Sequence, residues 1–158
     1  MRKLLFFLFL LWPAPTGPFL GEAEATTTKP VKIIQGPILA HVVRVRDGDS
    51  IDVIAHVWPG TQIRVSVRLA GIDAPELRAR CGEEKRLAVA ARDRLAQLVA
   101  DGPVYLEQVR GGKYFGRILA RVFVDGIDVQ NALLKEKLVR PYGGKRAGWC
   151  DTERMVQG

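Results

Sequence analysis

The fold is decided by the stretch Ile63-Arg64-Val65-Ser66-Val67-Arg68-Leu69, in which apolar and polar side chains alternate. Alternation with a period of two is typical of a β-strand that has one buried face. The apolar face carries isoleucine, valine and leucine, and the opposite face carries Arg64 and Arg68. The stretch therefore predicts a strand whose polar face presents two cations.

Four further strands are predicted around this one. Asp47-Gly48-Asp49 has the composition of a hairpin turn, and Pro59-Gly60 forms the turn that leads into the alternating stretch. The five predicted strands cover residues 38–46, 51–55, 63–69, 104–109 and 118–124.

Two helices are predicted beside the strands. Leu87, Ala91, Leu95 and Leu98 fall on one face of a helix from Glu83 to Ala100, which follows the third strand. Asp128 can cap a short C-terminal helix from Val129 to about Leu138. Five short strands with a helix after the third favour a small closed barrel, so we expect an α+β protein with a five-stranded OB-fold.

Residues 1–25 have the order of a secretory signal peptide. A positively charged start precedes an apolar run from Leu4 to Trp12, which is too short to span a bilayer as a helix. Ala23-Glu24-Ala25 offers a small-x-small cleavage site. Cleavage after Ala14 or Gly17, and an uncleaved membrane anchor, are the alternatives.

Removal of that peptide would leave a basic chain with an irregular start. Residues 26–37, which are rich in threonine and contain proline, predict a flexible lead-in. The net charge of +7 favours polyanionic partners, because phosphates attract Lys and Arg side chains over several ångströms. We expect a secreted or periplasmic monomer with no stable membrane association after processing.

The chain has two cysteines, Cys81 and Cys150. Two cysteines in an exported protein pair more often than they stay free, so we expect a disulfide, with two free thiols as the alternative. A zinc site would need further ligands, and His41 and His56 both lie far from the cysteines in sequence. The cysteines therefore favour a covalent link over a metal site.

Carboxylates flank two of the predicted strands. Asp49 ends the hairpin turn, and Asp73-Ala74-Pro75-Glu76 follows the alternating strand. If the second and third strands pair, Asp49 and Asp73 approach each other at one edge, where two like charges need a cation between them. Ca²⁺ and Mg²⁺ prefer such oxygen ligands, and the carbonyl of Ala74 is a further candidate. Either motif alone is more typical of an ordinary turn.

Two arginines supply the second half of the candidate chemistry. Arg68 lies on the polar face of its strand, five residues before Asp73, and Arg117 directly precedes a later strand. Guanidinium groups bind phosphate oxygens in a bidentate manner. Together with a metal and a carboxylate base, they meet the needs of phosphoryl transfer. Either arginine alone is more typical of a solvated strand.

Three motifs in order closely resemble the staphylococcal-nuclease-like (thermonuclease) family. They are Asp47-Gly48-Asp49-Ser50, then Val67-Arg68-Leu69-Ala70-Gly71-Ile72-Asp73-Ala74-Pro75-Glu76, then Tyr114-Phe115-Gly116-Arg117 followed by Ile118-Leu119-Ala120. The resemblance implies a nuclease domain with an OB-fold over residues 38–142, and leaves residues 143–158 as a C-terminal tail.

The resemblance also implies an activity and a role for each matched residue. The family's reaction is Ca²⁺-dependent hydrolysis of DNA and RNA, which leaves 3′-phosphate ends. Catalysis would fall to Arg68, Glu76 and Arg117, and Ca²⁺ binding to Asp49, Asp73 and the carbonyl of Ala74. Glu76 would orient or deprotonate the attacking water, and the two arginines would bind the scissile phosphate.

The chain departs from the family's pattern close to these residues. Ala74 stands where members often have threonine, and Phe115 stands where a tyrosine contacts a terminal phosphate. Tyr114 or Tyr142 is expected to replace that contact. In place of a further helix of the best-known members, we expect a Cys81–Cys150 disulfide to hold the tail near the active-site loop, which comprises residues 77–82.

The alternative function is a non-catalytic OB-fold module that binds nucleic acid without cutting it. Degenerate members of the family serve in this way, and they usually lose the carboxylates or the arginines. The present chain keeps all of them, which favours a hydrolase. The residues concerned are Asp49, Arg68, Asp73, Glu76 and Arg117.

Overall fold

The computed structural model describes residues 32–146 and 148–150. The predicted signal peptide, residues 26–31 of the lead-in, and Ala147 and residues 151–158 of the tail lie outside the described residues. The described chain forms nine strands and two helices: β1 Ile33–Ile34, β2 Ile38–Asp47, β3 Ser50–Trp58, β4 Thr61–Leu69, β5 Ile72–Asp73, α1 Gly82–Leu98, β6 Val104–Gly111, β7 Arg117–Val124, β8 Ile127–Asp128, α2 Val129–Lys135 and β9 Arg140–Pro141.

The five long strands close into a barrel. β2, β3 and β4 form an antiparallel meander, and β4 pairs in parallel with β7. β7 pairs with β6, which returns to β2 and closes the sheet. This closed mixed barrel with two helices confirms the predicted α+β OB-fold.

The alternating stretch forms β4 with its apolar face inward along its second half. Val67 and Leu69 are fully buried in the barrel core, whereas Arg68 points to the opposite face. Ile63, at the start of the strand, is 45% exposed because this end extends beyond the core. The well-packed end of β4 is therefore the end that carries Arg68.

Helix α1 packs on the barrel with a face that contains Ala91 and Leu95 of the predicted one but is rotated toward Ala88. Ala88, Ala91 and Leu95 are fully buried, whereas Leu87 and Leu98 are only partly buried. Small alanine side chains let the helix axis approach the barrel closely, which a stripe of leucines would prevent.

Helix α2 begins as predicted but is shorter. The side chain of Asp128 accepts a hydrogen bond from the backbone N–H of Asn131 at 2.9 Å, which is the predicted N-cap. The helix ends at Lys135 rather than near Leu138, because Lys137 adopts a left-handed φ of 57° that no α-helix continues through. Neither helix of the described region is long and apolar enough to cross a lipid bilayer.

Gly48 lets the turn between β2 and β3 lie against α1. A Cβ atom at this position would lie 2.7 Å from the Cβ of Ala91 and 2.9 Å from the Cβ of Ala74, so either neighbour would have to move. Glycine is thus required by close approach at this turn. Because Asp49 follows directly, this packing fixes its position at the edge of the barrel.

Two short pairings were not predicted from the sequence. β5 pairs with β9, which places Asp73 opposite Arg140 and joins the tail end of the domain to the motif after β4. β1 pairs with β6, so Ile33–Ile34, within the expected flexible lead-in, forms a strand. Two-residue strands carry no periodicity that a sequence pattern can reveal.

The expected disulfide joins Cys81, the N-cap residue of α1, to Cys150 in the tail. The tail is held further by Arg140, whose guanidinium carbon lies 3.9 Å from the ring centroid of Trp149. Arg140 also donates a hydrogen bond to the carbonyl of Gly148 at 3.1 Å. The described part of the tail is therefore fixed both covalently and by contacts.

We expect reduction of this disulfide to lower the melting temperature by roughly 10 °C. The bond closes a loop with a sequence separation of 69 residues, for which the chain-entropy model gives about 4 kcal/mol. Melting curves of the oxidised protein with and without reductant measure the effect. The double variant Cys81→Ser/Cys150→Ser should melt at the same temperature as the reduced protein, and reductant should not change its melting temperature. Equal melting temperatures for oxidised and reduced protein would contradict the prediction.

Candidate active site

The pairing of β3 with β4 brings the predicted site residues to one edge of the barrel. Ser50 at the start of β3 lies opposite Arg68 near the end of β4. The backbone N–H of Leu69 donates to the carbonyl of Asp49 at 2.8 Å. β5, which contains Asp73, follows β4 after a two-residue turn. Asp49, Arg68 and Asp73 therefore meet at this edge.

Asp49 is buried, and its carboxylate accepts hydrogen bonds from three donors. Its Oδ1 accepts from Arg68 Nη1 at 2.7 Å and from Ser50 Oγ at 2.8 Å, and its Oδ2 accepts from the backbone N–H of Ala74 at 3.2 Å. Burial raises the pKa of Asp49 to about 6, although the charge of Arg68 acts in the opposite direction. Additional positive charge beside Asp49 would therefore favour its ionised form.

Arg68 bridges the two aspartates. Its Nη1 pairs with Asp49, and its Nη2 lies 3.3 Å from Oδ1 of Asp73. Its side chain is still 24% exposed, so the guanidinium keeps a face toward the surface. The ring of Tyr142 lies beside it, with 6.0 Å from its centroid to the guanidinium carbon. The arginine is thus positioned by two carboxylates and remains accessible to a ligand.

Asp73 and Ala74 are both almost fully buried. The carbonyl of Ala74 accepts a long hydrogen bond of 3.5 Å from Nη2 of Arg146. Nε of the same arginine lies 3.7 Å from Oδ1 of Asp73. The predicted oxygen ligands at these two residues therefore face a cation in this structure.

Glu76 lies at the outer side of this group, with a half-exposed side chain that pairs with Arg146. Its backbone N–H donates to Oε1 of Glu84 at 3.2 Å. The carboxylates of Asp49, Asp73 and Glu76 do not form a compact trio within 4.8 Å of one another. Glu76 is instead linked to Asp73 through Arg146, which pairs with both. This position suits a residue that acts on water more than a third metal ligand.

Arg117 begins the strand next to Arg68. β7 pairs with β4 so that Arg117 lies opposite Ser66 and Leu119 opposite Arg68. The ring of Tyr114 lies 5.8 Å from the guanidinium carbon of Arg117. Within the described ranges no carboxylate pairs with Arg117, so the structure does not bring it into the carboxylate group. The two arginines nevertheless lie on neighbouring strands, two register positions apart.

The two tyrosines lie beside different arginines. Tyr142 adjoins Arg68 and donates its hydroxyl to the carbonyl of Gly144 at 3.1 Å, whereas Tyr114 is exposed beside Arg117. Phe115, at the position of the missing phenol, is fully exposed. Both predicted replacements are therefore close to a candidate phosphate-binding arginine.

Two residues of the site were missed at the sequence level. A glutamate in the first turn of a helix, as Glu84 is, is ordinarily explained by a favourable interaction with the helix dipole, yet Glu84 is buried and holds the backbone of Glu76. Arg146 belongs to a basic stretch over residues 135–146, whose composition suits either a surface that follows a polyanionic strand or a solvated surface. The structure instead pairs it with Glu76 and Asp73. A signal for both exists: Cys81 follows Glu76 by five residues, and a disulfide to Cys150 brings the residues before Cys150 toward Glu76.

One other group of potential metal ligands occurs in the described chain. Cys81, Glu84 and Cys150 place their ligand atoms within 4.8 Å of one another. Both sulfurs are consumed by the disulfide, so this group cannot act as a thiolate metal site. The earlier preference for a covalent link over a zinc site agrees with this arrangement.

Comparison of the sequence with known proteins provides a second line of evidence beside the geometry of the site. A family model described as Staphylococcal nuclease homologue matches residues 66–150, more than half of the 158 residues. The matched range contains both cysteines and every predicted site residue except Asp49.

Three curated proteins are similar to this chain. Endonuclease YncB of Bacillus subtilis (strain 168) is 37% identical over 99 residues, which cover 61% of this chain and 44% of that protein. Protein ParB of Escherichia coli is 36% identical over 106 residues, which cover 65% and 53%. The SPbeta prophage-derived endonuclease YokF of Bacillus subtilis (strain 168) is 37% identical over 99 residues, which cover 61% and 32%.

The matched regions span about half the length of these relatives or less. The family itself follows from the match over more than half of the chain together with the closed barrel and the three ordered motifs. The chain belongs to the family of staphylococcal nuclease homologues.

Proposed function

We propose that this chain is a metal-dependent nuclease that hydrolyses phosphodiester bonds of DNA and RNA. The observation that carries the proposal is the convergence of Asp49 and Asp73 on Arg68 at one barrel edge, where the Ala74 carbonyl lies next to Asp73 and accepts from Arg146. Two of the similar proteins are named endonucleases, which supports the same reaction class. Ca²⁺ is the proposed ion and 3′-phosphate ends are the proposed products. The predicted signal peptide supports a secreted or periplasmic location.

The donor set fits a hard divalent cation. Asp49, Asp73 and the Ala74 carbonyl offer only oxygen atoms, which Ca²⁺ prefers. Arg68 and Arg146 already bind these oxygens, so the site attracts positive charge. When bound, Ca²⁺ would supply Lewis-acid stabilisation of charge on the phosphate oxygens.

The protein's own side chains bind the phosphate and act on the attacking water. Arg68 presents its accessible guanidinium face to the scissile phosphate, and Arg117 approaches from the neighbouring strand. Both stabilise the negative charge that grows on the phosphate oxygens in the transition state. Glu76 orients the attacking water or accepts its proton, for which its half-exposed carboxylate is accessible. Glu84 fixes the backbone of Glu76 and so limits where that carboxylate can reach.

Chelation should abolish hydrolysis. We expect plasmid DNA and RNA to be degraded in the presence of Ca²⁺ and to stay intact in the presence of excess chelator, because without the cation the carboxylates repel the phosphodiester and its developing charge loses Lewis-acid stabilisation. Readdition of Ca²⁺ should restore activity, and the same titration with Mg²⁺ tests the choice of ion. Gel electrophoresis over time gives the rate. Degradation that ignores chelator would contradict the proposal, and binding without degradation at any metal would favour the non-catalytic module.

A further inference from the structure

A cleft of about 410 Å³ opens beside Glu76. One wall is the active-site loop with Arg78 and Arg80, and the other wall is formed in the tail by Arg146, Gly148, Trp149 and Cys150. Glu76 lines both the cleft and the candidate active site. A ligand in this cleft would therefore be continuous with one at the scissile position.

The disulfide joins the two walls of the cleft. Cys81 ends the loop wall and Cys150 lies on the tail wall, with 5.9 Å between their Cα atoms. The stacking of Arg140 on Trp149 holds the tail wall from behind. The shape of the cleft thus depends on a covalent link that lies outside the proposed catalytic residues.

The cleft carries excess positive charge. Three arginines and two glutamates line it. Glu84 is buried beneath the loop, where it accepts from the backbone of Glu76, and Glu76 itself pairs with Arg146. Arg78 and Arg80 are exposed, and no carboxylate of the described residues lies within ion-pair distance of either. These two guanidinium groups are therefore available to an anion.

We propose that the cleft is a second phosphate subsite, which binds the nucleotide adjacent to the scissile phosphate on a single strand. This role rests on the proposed nuclease function and extends it. Arg78 and Arg80 contact the neighbouring phosphate from the loop, and Arg146 does so from the tail. The volume of about 410 Å³ lies within the range of small-ligand sites, which suits a single nucleotide.

The salt dependence of binding measures these contacts without relying on catalysis. A fluorescent single-stranded oligonucleotide is titrated with protein in excess chelator, and anisotropy gives the affinity between 50 and 200 mM salt. Each phosphate contact to a single strand contributes about 0.7 to the slope of log affinity against log salt. The double variant Arg78→Gln/Arg80→Gln should therefore bind with a slope shallower by about 1.4. Between 50 and 200 mM salt, the fold-change in the affinity of this variant should then be about seven times smaller than the fold-change in the wild type.

A variant of equal net charge separates the subsite from general surface attraction. Arg44→Gln/Arg64→Gln removes two exposed arginines of the barrel strands that do not line the cleft. This variant should keep the wild-type slope. An unchanged slope in Arg78→Gln/Arg80→Gln, or an equal decrease in both double variants, would overturn the subsite.

Reduction of the disulfide provides an independent measurement. It should weaken binding to the single strand in the wild type and have less effect in Arg78→Gln/Arg80→Gln, because one wall of the cleft is already deprived of its cations. An equal loss of affinity in both proteins would count against the role of the cleft. Gel analysis of the recovered strand tests the proposed function separately. Cleavage of the strand in chelator would contradict the metal dependence of hydrolysis. The salt slopes would still measure the phosphate contacts of the subsite.

Discussion

Replacement of Arg68 by alanine should lower kcat for nucleic-acid hydrolysis by about 10²–10³, the usual cost of losing one transition-state contact. Arg68 donates to Asp49 at 2.7 Å and lies 3.3 Å from Asp73, so it is fixed before any ligand arrives. A guanidinium held in this way needs no reorganisation when charge develops on the phosphate. Its loss therefore affects the rate more than it affects binding of the ground state.

A second effect of Arg68→Ala acts through Asp49. Burial raises the pKa of Asp49 to about 6, and the charge of Arg68 is the largest effect that opposes this rise. Without the arginine, more of the carboxyl is protonated near neutral pH, and a protonated carboxyl is a poor metal ligand. We therefore expect Arg68→Ala to need more Ca²⁺ for half-maximal activity than the wild type. Arg68→Lys should keep part of the metal affinity but lose the bidentate contact and most of the rate.

Arg46→Ala is the matched control for Arg68→Ala. Arg46 also lies on a barrel strand and also pairs with an aspartate, Asp52, at 2.9 Å. Its side chain is 47% exposed, and exposed pairs of this kind contribute little. Steady-state rates on a single-stranded oligonucleotide should be unchanged in Arg46→Ala. Wild-type kcat in Arg68→Ala would remove this arginine from the mechanism.

Much of the barrel could be predicted because the alternation of apolar and polar residues along a strand indicates which of its faces is buried. The second half of the alternating stretch buries Val67 and Leu69 and leaves Arg68 on the other face, as a period of two requires. The meeting of Asp49 with Asp73 could also be anticipated, since it needs only the pairing of two consecutive strands. Local pattern and short connections were sufficient for this part of the site.

The remainder depends on contacts between distant segments. Asp73 pairs with Arg140 through strands of two residues, and Glu76 meets Arg146 across a separation that the disulfide bridges. No periodicity marks such contacts, and a basic stretch looks the same whether it is solvated or folded onto carboxylates. The burial of Glu84 was hidden for the same reason, because a glutamate in the first turn of a helix is ordinarily explained by the helix dipole.

The displaced face of α1 has a related cause. The predicted face placed Leu87 and Leu98 in the core, as an amphipathic helix on a flat surface would do. Gly48 and Ala74 lie so close to the helix that a small side chain, Ala91, packs at this point, and Leu95 is buried one turn further along. The same closeness sets the position of Asp49. Close approach at this turn thus accounts for the rotation of the helix, which leaves Leu87 and Leu98 only partly buried.

Replacement of Glu76 by glutamine should lower kcat by about 10²–10⁴, the range typical of a general acid–base residue, while nucleic-acid binding is retained. Glutamine keeps the size of the side chain and can still contact water, but it cannot accept the proton. Affinity should not fall, because a negative charge next to the phosphate is removed and Arg146 is released from its partner.

Glu83→Gln is the matched control for Glu76→Gln. Glu83 lies in the first turn of α1, and its carboxylate pairs with the exposed Arg86 rather than with the candidate site. Single-turnover rates, with binding measured separately by anisotropy, should be normal for this variant. A Glu76→Gln protein that turns over like the wild type would show that water needs no carboxylate at this position. Equal loss of rate and of affinity would instead assign Glu76 to binding, since a residue that acts on water only in the transition state leaves the ground-state complex intact.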